Sequence, residues 1–187
     1  MTRRLTDLAH DVIAGHLHTG DIVIDATMGN GHDTLFLAQR VGKTGHVYAF
    51  DLQQQAIEQT RGRLERHEVA DRVTLFRNSH AKMAMALPPG IAGNVAAVVF
   101  NLGYLPGGEK SVTTTAGSTL TALDASLGLL RPGGLISLLV YVGHPGGMDE
   151  DEAIREWLEK RGDMVEWAQH NPGCAGHSPR LYTLVRR

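Results

Sequence analysis

From residue 5 to residue 17, Leu5, Leu8, Ala9, Val12, Ile13 and Leu17 recur at steps of three and four. That spacing lines one side of a helix with apolar groups and predicts an amphipathic helix laid on a core, broken by His18-Thr19-Gly20-Asp21. Beyond the break the pattern changes to short apolar runs separated by stretches of helical spacing. Ile22 to Ala26 reads as a strand, and Asp33 to Val41 as a helix closed by Gly42. His46 to Asp51 then reads as a strand, Gln55 to His67 as a helix, Arg72 to Asn78 as a strand, Ala81 to Ala86 as a short helix and Val95 to Tyr104 as a strand. A glycine-rich loop follows. Thr114 to Leu130 has helical spacing ended by Arg131-Pro132-Gly133-Gly134, Leu135 to Val142 is a continuous apolar strand, and Asp149 to Arg161 is helical. Two last strands are expected near Met164 to His170 and Leu181 to Arg186. The alternation predicts an α/β fold, a mostly parallel seven-stranded sheet with helices on both faces.

In such a sheet ligands collect outside the carboxyl ends of the strands, so the residues that end each strand carry the candidate chemistry. The first strand ends in Asp25 and runs into Gly29-Asn30-Gly31, a turn whose backbone can approach a ligand while the next helix offers free amides. The second ends in Asp51, twenty residues past Gly31, where a carboxylate can accept hydrogen bonds from the hydroxyls of a ribose. A nucleoside cofactor is expected. The dinucleotide fingerprint wants a third small residue where this chain has Thr34, and Asp33 beside it would repel a pyrophosphate. S-adenosylmethionine has no phosphate and carries a sulfonium and an ammonium, so Asp25 and Asp33 suit it. The plain alternative is that Asp25 ends a strand, Asp33 caps a helix and the glycines only turn; it competes for any one residue and fails for the four spaced together.

Composition narrows this little. The chain has 187 residues, 42% of them hydrophobic, which suits one compact domain over residues 1–187. The 18 basic residues against 20 acidic ones give no global attraction to phosphate, and Arg61, Arg63, Arg66, Arg72, Arg77 and Lys110 are by default a solvated surface. Cys174 is the single cysteine, which excludes an internal disulfide and fits a reducing compartment. No apolar stretch approaches a membrane span and the N-terminus lacks a secretory centre, so a soluble, cytoplasmic protein with no membrane partner is expected. His16 and His18 make no convincing metal set, and no metal is expected.

Six stretches carry a resemblance over nearly the whole chain: LTDLAH at Leu5, GDIVIDATMGNGHDTLFLA at Gly20, FDLQ at Phe50, NSHAKM at Asn78, NLGYLPGGEK at Asn101 and VYVGHPGG at Val140. In order and spacing they resemble the small class I, Rossmann-like, S-adenosylmethionine-dependent methyltransferases labelled rRNA methylases, whose characterised members are tRNA 5-aminomethyl-2-thiouridine methyltransferases. The resemblance implies that Asp25, Thr27, Met28, Gly29, Asn30, Gly31, His32 and Asp33 hold the methionine end of S-adenosylmethionine. It implies Asp51, Leu52 and Gln53 for the ribose, and Asn78, Ser79 and His80 beside the adenine. Asn101 to Tyr104 resembles the Asn-Pro-Pro-Tyr loop of amino-group methyltransferases with Leu102 and Gly103 in the proline places; Asn101 would contact both donor and acceptor, and Asn101 and Tyr104 are the catalytic candidates. Leu102, Gly103, Tyr104, Leu105, Pro106, Gly107, Gly108 and His144 would form the acceptor side. The implied partner is the anticodon region of tRNA, with a splayed wobble base that Tyr104 could stack on, and a homodimer is left open. Methylation of another RNA, such as rRNA, or of a small-molecule amine is the alternative. An aliphatic amine with a pKa of about 10.4 must be held neutral, which desolvation and a nearby sulfonium both favour. His32, His80 and His144 are the candidates for a base by placement, and each is more often a hydrogen-bonded structural histidine than a base.

Overall fold

The computed structural model describes residues 4–105, 107–108, 113–171, 176 and 178–187. Pro106, Lys110 and Cys174, named above, lie outside the described residues.

Seven strands form one sheet: β1 (Ile22–Asp25), β2 (His46–Asp51), β3 (Val73–Arg77), β4 (Val95–Leu102), β5 (Leu130–Val140), β6 (Val165–Gln169) and β7 (Arg180–Arg186), in the order β3-β2-β1-β4-β5-β7-β6. The first five are parallel, and β7 inserts antiparallel between β5 and β6. The helices are α1 (Leu5–His16), α2 (His32–Val41), α3 (Gln54–Arg66), α4 (Met83–Ala86), α5 (Ala116–Leu129) and α6 (Gly147–Glu159). The expected fold class is the one observed.

Side chains that alternate along the strands build a core on each face. Val23, Val47, Ala97 and Val99 pack with Ile13 and Leu17 of α1 and just beyond it, Leu37, Ala38 and Val41 of α2, and Leu64 of α3. Their neighbours Ile24, Phe50, Val98 and Phe100 pack the other way, on Leu123 and Leu127 of α5 and Ile154, Trp157 and Leu158 of α6. Near-continuous apolar strands are what burial on both faces requires.

Most boundaries shifted by one or two residues, and two of the differences have a local cause. The residues Arg131 to Gly134 do end α5, but β5 already begins at Leu130, which pairs with Val95 before a register shift brings Leu135 opposite Ala97. The four residues are an excursion within a strand rather than a loop ahead of one. The helix α6 starts at Gly147, two residues early, because Gly146 takes a left-handed conformation and turns the chain into it. Strand order reverses between β1 and β4, each connected away from the other, and this leaves a crevice at their carboxyl ends. Among the described residues no helix is long and apolar enough to cross a membrane.

Candidate active site

A cavity of about 910 Å³ opens in that crevice, walled by residues 26–30, 50–53, 78–80, 103–105 and 113–115, with Asn101, Asp33 and His144. Its floor is the glycine turn. Gly29 and Gly31 are both left-handed, with φ of 51° and 76°. A Cβ on Gly31 would lie 2.9 Å from Thr60 Cα, so what comes close there is α3, not a ligand. Thr60 Oγ1 donates to Gly29 O at 3.1 Å, and Arg63 Nε donates to Asn30 O at 2.9 Å while its guanidinium reaches His32 Nε2 at 3.1 Å. The turn is thereby fastened to the helix behind it.

Asp51 closes the turn from β2. Its Oδ2 accepts from Gly29 N at 3.1 Å and its Oδ1 from Gln53 N at 2.9 Å. The backbone of Leu52 also bonds to it, and of the about four lone-pair sites of a carboxylate capacity for a hydroxyl remains. Asp25 is not on the wall: it is fully buried, with Oδ2 accepting from Thr34 Oγ1 at 2.6 Å and Oδ1 from Thr27 N at 3.2 Å. Burial first, then the charge of Asp33, push its pKa up to about 7 against those hydrogen bonds. Thr34, which broke the dinucleotide pattern, is the hydroxyl that serves this carboxyl.

Asp33 sits in the first turn of α2, yet its side chain faces the cavity. His10 Nε2 of α1 lies 2.7 Å from its Oδ1, and Asn101 Nδ2 at the end of β4 donates to its Oδ2. Burial pushes this carboxyl up, but the bonds from His10 and Asn101 outweigh it and hold the pKa below the usual range. The partner's shift is reciprocal, since the bond to Asp33 raises His10 above its ordinary value. Asn101 is also fixed through its backbone, whose N–H donates to Thr27 Oγ1 at 2.7 Å.

The acceptor side is built from two loops. Thr113 Oγ1 and Thr114 N both donate to Gly103 O, at 2.9 and 3.0 Å, and Glu150 of α6, fully buried, accepts from Thr114 and Thr119 at 2.7 and 2.6 Å. Tyr104 stands edge-on to His144 at 6.2 Å between centroids, and Tyr104 and Tyr141 remain 44% and 39% exposed at the mouth. His144 Nδ1 lies 3.0 Å from Pro145 O. On the wall, His80 is hydrogen-bonded to the backbone of Ala26, burial holds its pKa below the ordinary value, and its Nε2 is buried without a partner among the described residues.

Of the expected site residues, Thr27, Met28, Gly29, Asn30, His32, Asp33, Asp51, Leu52, Gln53, Asn78, Ser79, His80, Asn101, Gly103, Tyr104, Leu105 and His144 share the wall. Asp25, Gly31, Leu102, Gly107 and Gly108 do not: Leu102 is buried in the core beneath, and a Cβ on Gly108 would stand 2.8 Å from Gln53 Oε1. The wall also holds Arg4, Thr6, His10, Phe50, Thr113, Thr114, Thr115, Ser118, Tyr141 and Gly143, none of them an expected site residue, although Thr6, His10, Phe50, Tyr141 and Gly143 fall inside the stretches that carry the resemblance. Their signal is weak in sequence because His10 reads as a polar position of an amphipathic helix and Tyr141 as the tail of an apolar strand. Three of the arginines bond to the chain's own carbonyls: Arg63 to Asn30, Arg72 to Ala38 and Arg77 to Leu52.

Comparison with known proteins places this geometry among relatives. A family model described as "Putative rRNA methylase" matches residues 47–174. A protein of Arabidopsis thaliana named tRNA (mnm(5)s(2)U34)-methyltransferase, chloroplastic, is 46% identical over 160 residues, 81% of this chain and 58% of that protein. The chain thus spans under two thirds of the length of that relative. A "putative rRNA-methylase" from Clostridium thermocellum superposes with a TM-score of 0.92 at 35% identity, covering all of both chains. A "putative methyltransferase" from Streptococcus mutans, solved in complex with SAH, gives 0.86 at 33% identity over all of both chains.

Proposed function

The chain belongs to the family described as rRNA methylases, and from that premise we propose that it is an S-adenosylmethionine-dependent N-methyltransferase. Its acceptor is the aminomethyl group of 5-aminomethyl-2-thiouridine at the wobble position of tRNA, and its product is 5-methylaminomethyl-2-thiouridine. The observation that carries the donor is the pair of Asp33 and Asp51 about one glycine turn at the carboxyl ends of β1 and β2, with Asp33 held as an anion by its hydrogen bonds and Asp25 bracing the turn from beneath. Such a site suits a ligand with two positive charges and a ribose, and rejects a pyrophosphate. The SAH complex of the S. mutans relative supports the donor, and the name of the Arabidopsis relative supports the acceptor.

When bound, the donor supplies a methyl group already activated by its sulfonium. The residues of this chain then have positioning left to do. Asp51 and Gln53 hold the ribose, the turn from Thr27 to Asn30 holds the amino-acid end, and Asn78 and Ser79 border the adenine. Asp25 acts from below, fixing Thr27 and Thr34. Asn101, whose Nδ2 is committed to Asp33, keeps Oδ1 to accept from the acceptor amine. The largely apolar cavity disfavours an ammonium, and His10 offsets the charge of Asp33 that would otherwise stabilise one. Tyr104 and Tyr141 at the mouth suit a flat, splayed base better than a small aliphatic amine.

Mass spectrometry of digested nucleosides decides it. Incubation with donor and tRNA bearing the aminomethyl group is expected to add one methyl to that nucleoside, and none to tRNA lacking the group. Equal methylation of the unmodified tRNA, or of rRNA, would overturn the acceptor.

A further inference from the structure

We propose that His10 is a positioning residue for methyl transfer: through Asp33 it dictates which end of the Asn101 amide faces the acceptor amine. The inference rests on the N-methyl transfer reading for the identity of the acceptor, while the arrangement itself stands on three side chains from three elements. His10 comes from α1, Asp33 from α2 and Asn101 from the end of β4.

An asparagine side chain can present either its carbonyl or its NH₂ by a half-turn, and nothing in the residue itself chooses. Here the backbone of Asn101 is fixed by Thr27 Oγ1 and by its place opposite Leu139 in the sheet, so the amide half-turn is the freedom that remains. Asp33 removes it. An ionised carboxylate only accepts, so Asn101 must aim Nδ2 at Asp33, which leaves Oδ1 as the acceptor. A protonated Asp33, or an amide in its place, could donate to Oδ1 instead and turn the NH₂ outward, donor against the hydrogens of the incoming amine.

His10 joins Asn101 in holding Asp33 as an anion, and it is what aims the carboxylate. Its ring stacks on Phe36 with centroids 4.0 Å apart and planes within 2°, and this fixes the direction of Nε2 toward Asp33 Oδ1 at 2.7 Å. The pair is mostly shielded from solvent, where a charge-assisted bond is stronger than at a surface. A residue that merely tied α1 to α2 would need neither the aim at the free carboxylate oxygen nor a bond to a side chain that faces the cavity.

The test uses His10→Phe, which keeps the stack and deletes the donor, and His10→Gln, which restores a donor. The first readout needs no activity: in ¹⁵N-asparagine-labelled protein, the Asn101 side-chain amide is expected to be shifted downfield and slow to exchange in the wild type and in His10→Gln. In His10→Phe it should exchange about tenfold faster, a factor typical of one lost hydrogen bond. The second is single-turnover transfer to aminomethylated tRNA. His10→Phe should slow it by roughly 10- to 100-fold with donor affinity and the KM for tRNA within about twofold, and His10→Gln should recover most of the rate. Should His10→Phe fail to fold, His10→Leu, which also deletes the donor, takes its place with the same two losses expected. An Asn101 amide that does not respond to His10→Phe overturns the proposal, as does a rate loss that tracks donor affinity and is not rescued by glutamine. If the wild type methylates no tRNA, the proposed function falls while the amide measurement still decides the role of His10.

Discussion

At the scale of single residues, the site is a problem of three carboxyls sharing a small volume. Asp33 is stabilised as an anion by His10 and Asn101, whereas Asp25, fully buried with Thr34 and Thr27 as its partners among the described residues, is pushed up to about 7. The two carry opposite signs of pH dependence. The Asp33 contribution is present above the ordinary carboxyl pKa and is lost as pH falls through its lowered value; that of His10 is present below about 6.5 and is lost as pH rises through its raised one. Asp25 has a folded pKa above its unfolded 3.8, so its ionisation costs stability progressively as pH rises toward 7. Between pH 5 and pH 8 that loss is on the order of 2 to 3 kcal/mol, and Asp25→Asn, which cannot ionise, should escape it. Thermal unfolding of both proteins at the two pH values checks this: the variant should gain on the wild type at pH 8. A difference that is the same at both would mean that Asp25 is not the group that titrates.

At the scale of elements, the turn between β1 and α2 is fixed from behind by α3. Gly31 carries φ of 76° and has Thr60 Cα 2.9 Å from where a Cβ would stand. Gly31→Ala therefore meets both a left-handed penalty of about 1 to 2 kcal/mol and overpacking of about 1 to 3 kcal/mol. A loss of roughly 2 to 4 kcal/mol in denaturant unfolding is expected, along with weakened donor binding as the turn shifts off Asp51. Gly15→Ala in α1, where a Cβ would meet nothing within 4 Å, is the control and should be neutral or slightly stabilising. Equal effects at the two glycines would remove the close approach of α3 as the reason for Gly31. The two-glycine spacing announced a tight place in the sequence; that the tightness comes from a helix thirty residues downstream did not show there.

At the scale of the whole molecule, donor binding joins α1, α2, the ends of β1, β2 and β4, and the 113–115 segment into one wall, so a ligand bound there should stabilise the fold as a unit. With S-adenosylmethionine at about 100 times its Kd the gain is about 2.7 kcal/mol, read as a rise in melting temperature that NAD at the same concentration does not give. A like rise with NAD would remove the donor assignment. The sequence by itself determined the α/β class, the seven strands, and the cluster of Asp25, Gly29, Gly31 and Asp51. Periodicity reports burial residue by residue, and a strand-turn-helix is local enough for its ligand-facing residues to fall within one short stretch. Only the tertiary structure decided the direction of β7, the place of Asp25 beneath the cavity and the chain from His10 through Asp33 to Asn101. Those depend on which residues far apart in sequence come within 3 Å of one another. A histidine on the polar side of a helix carries no mark of the carboxylate that folding sets against it, and the bond of His10 to Asp33 exists only once α1 has packed on the sheet beside α2.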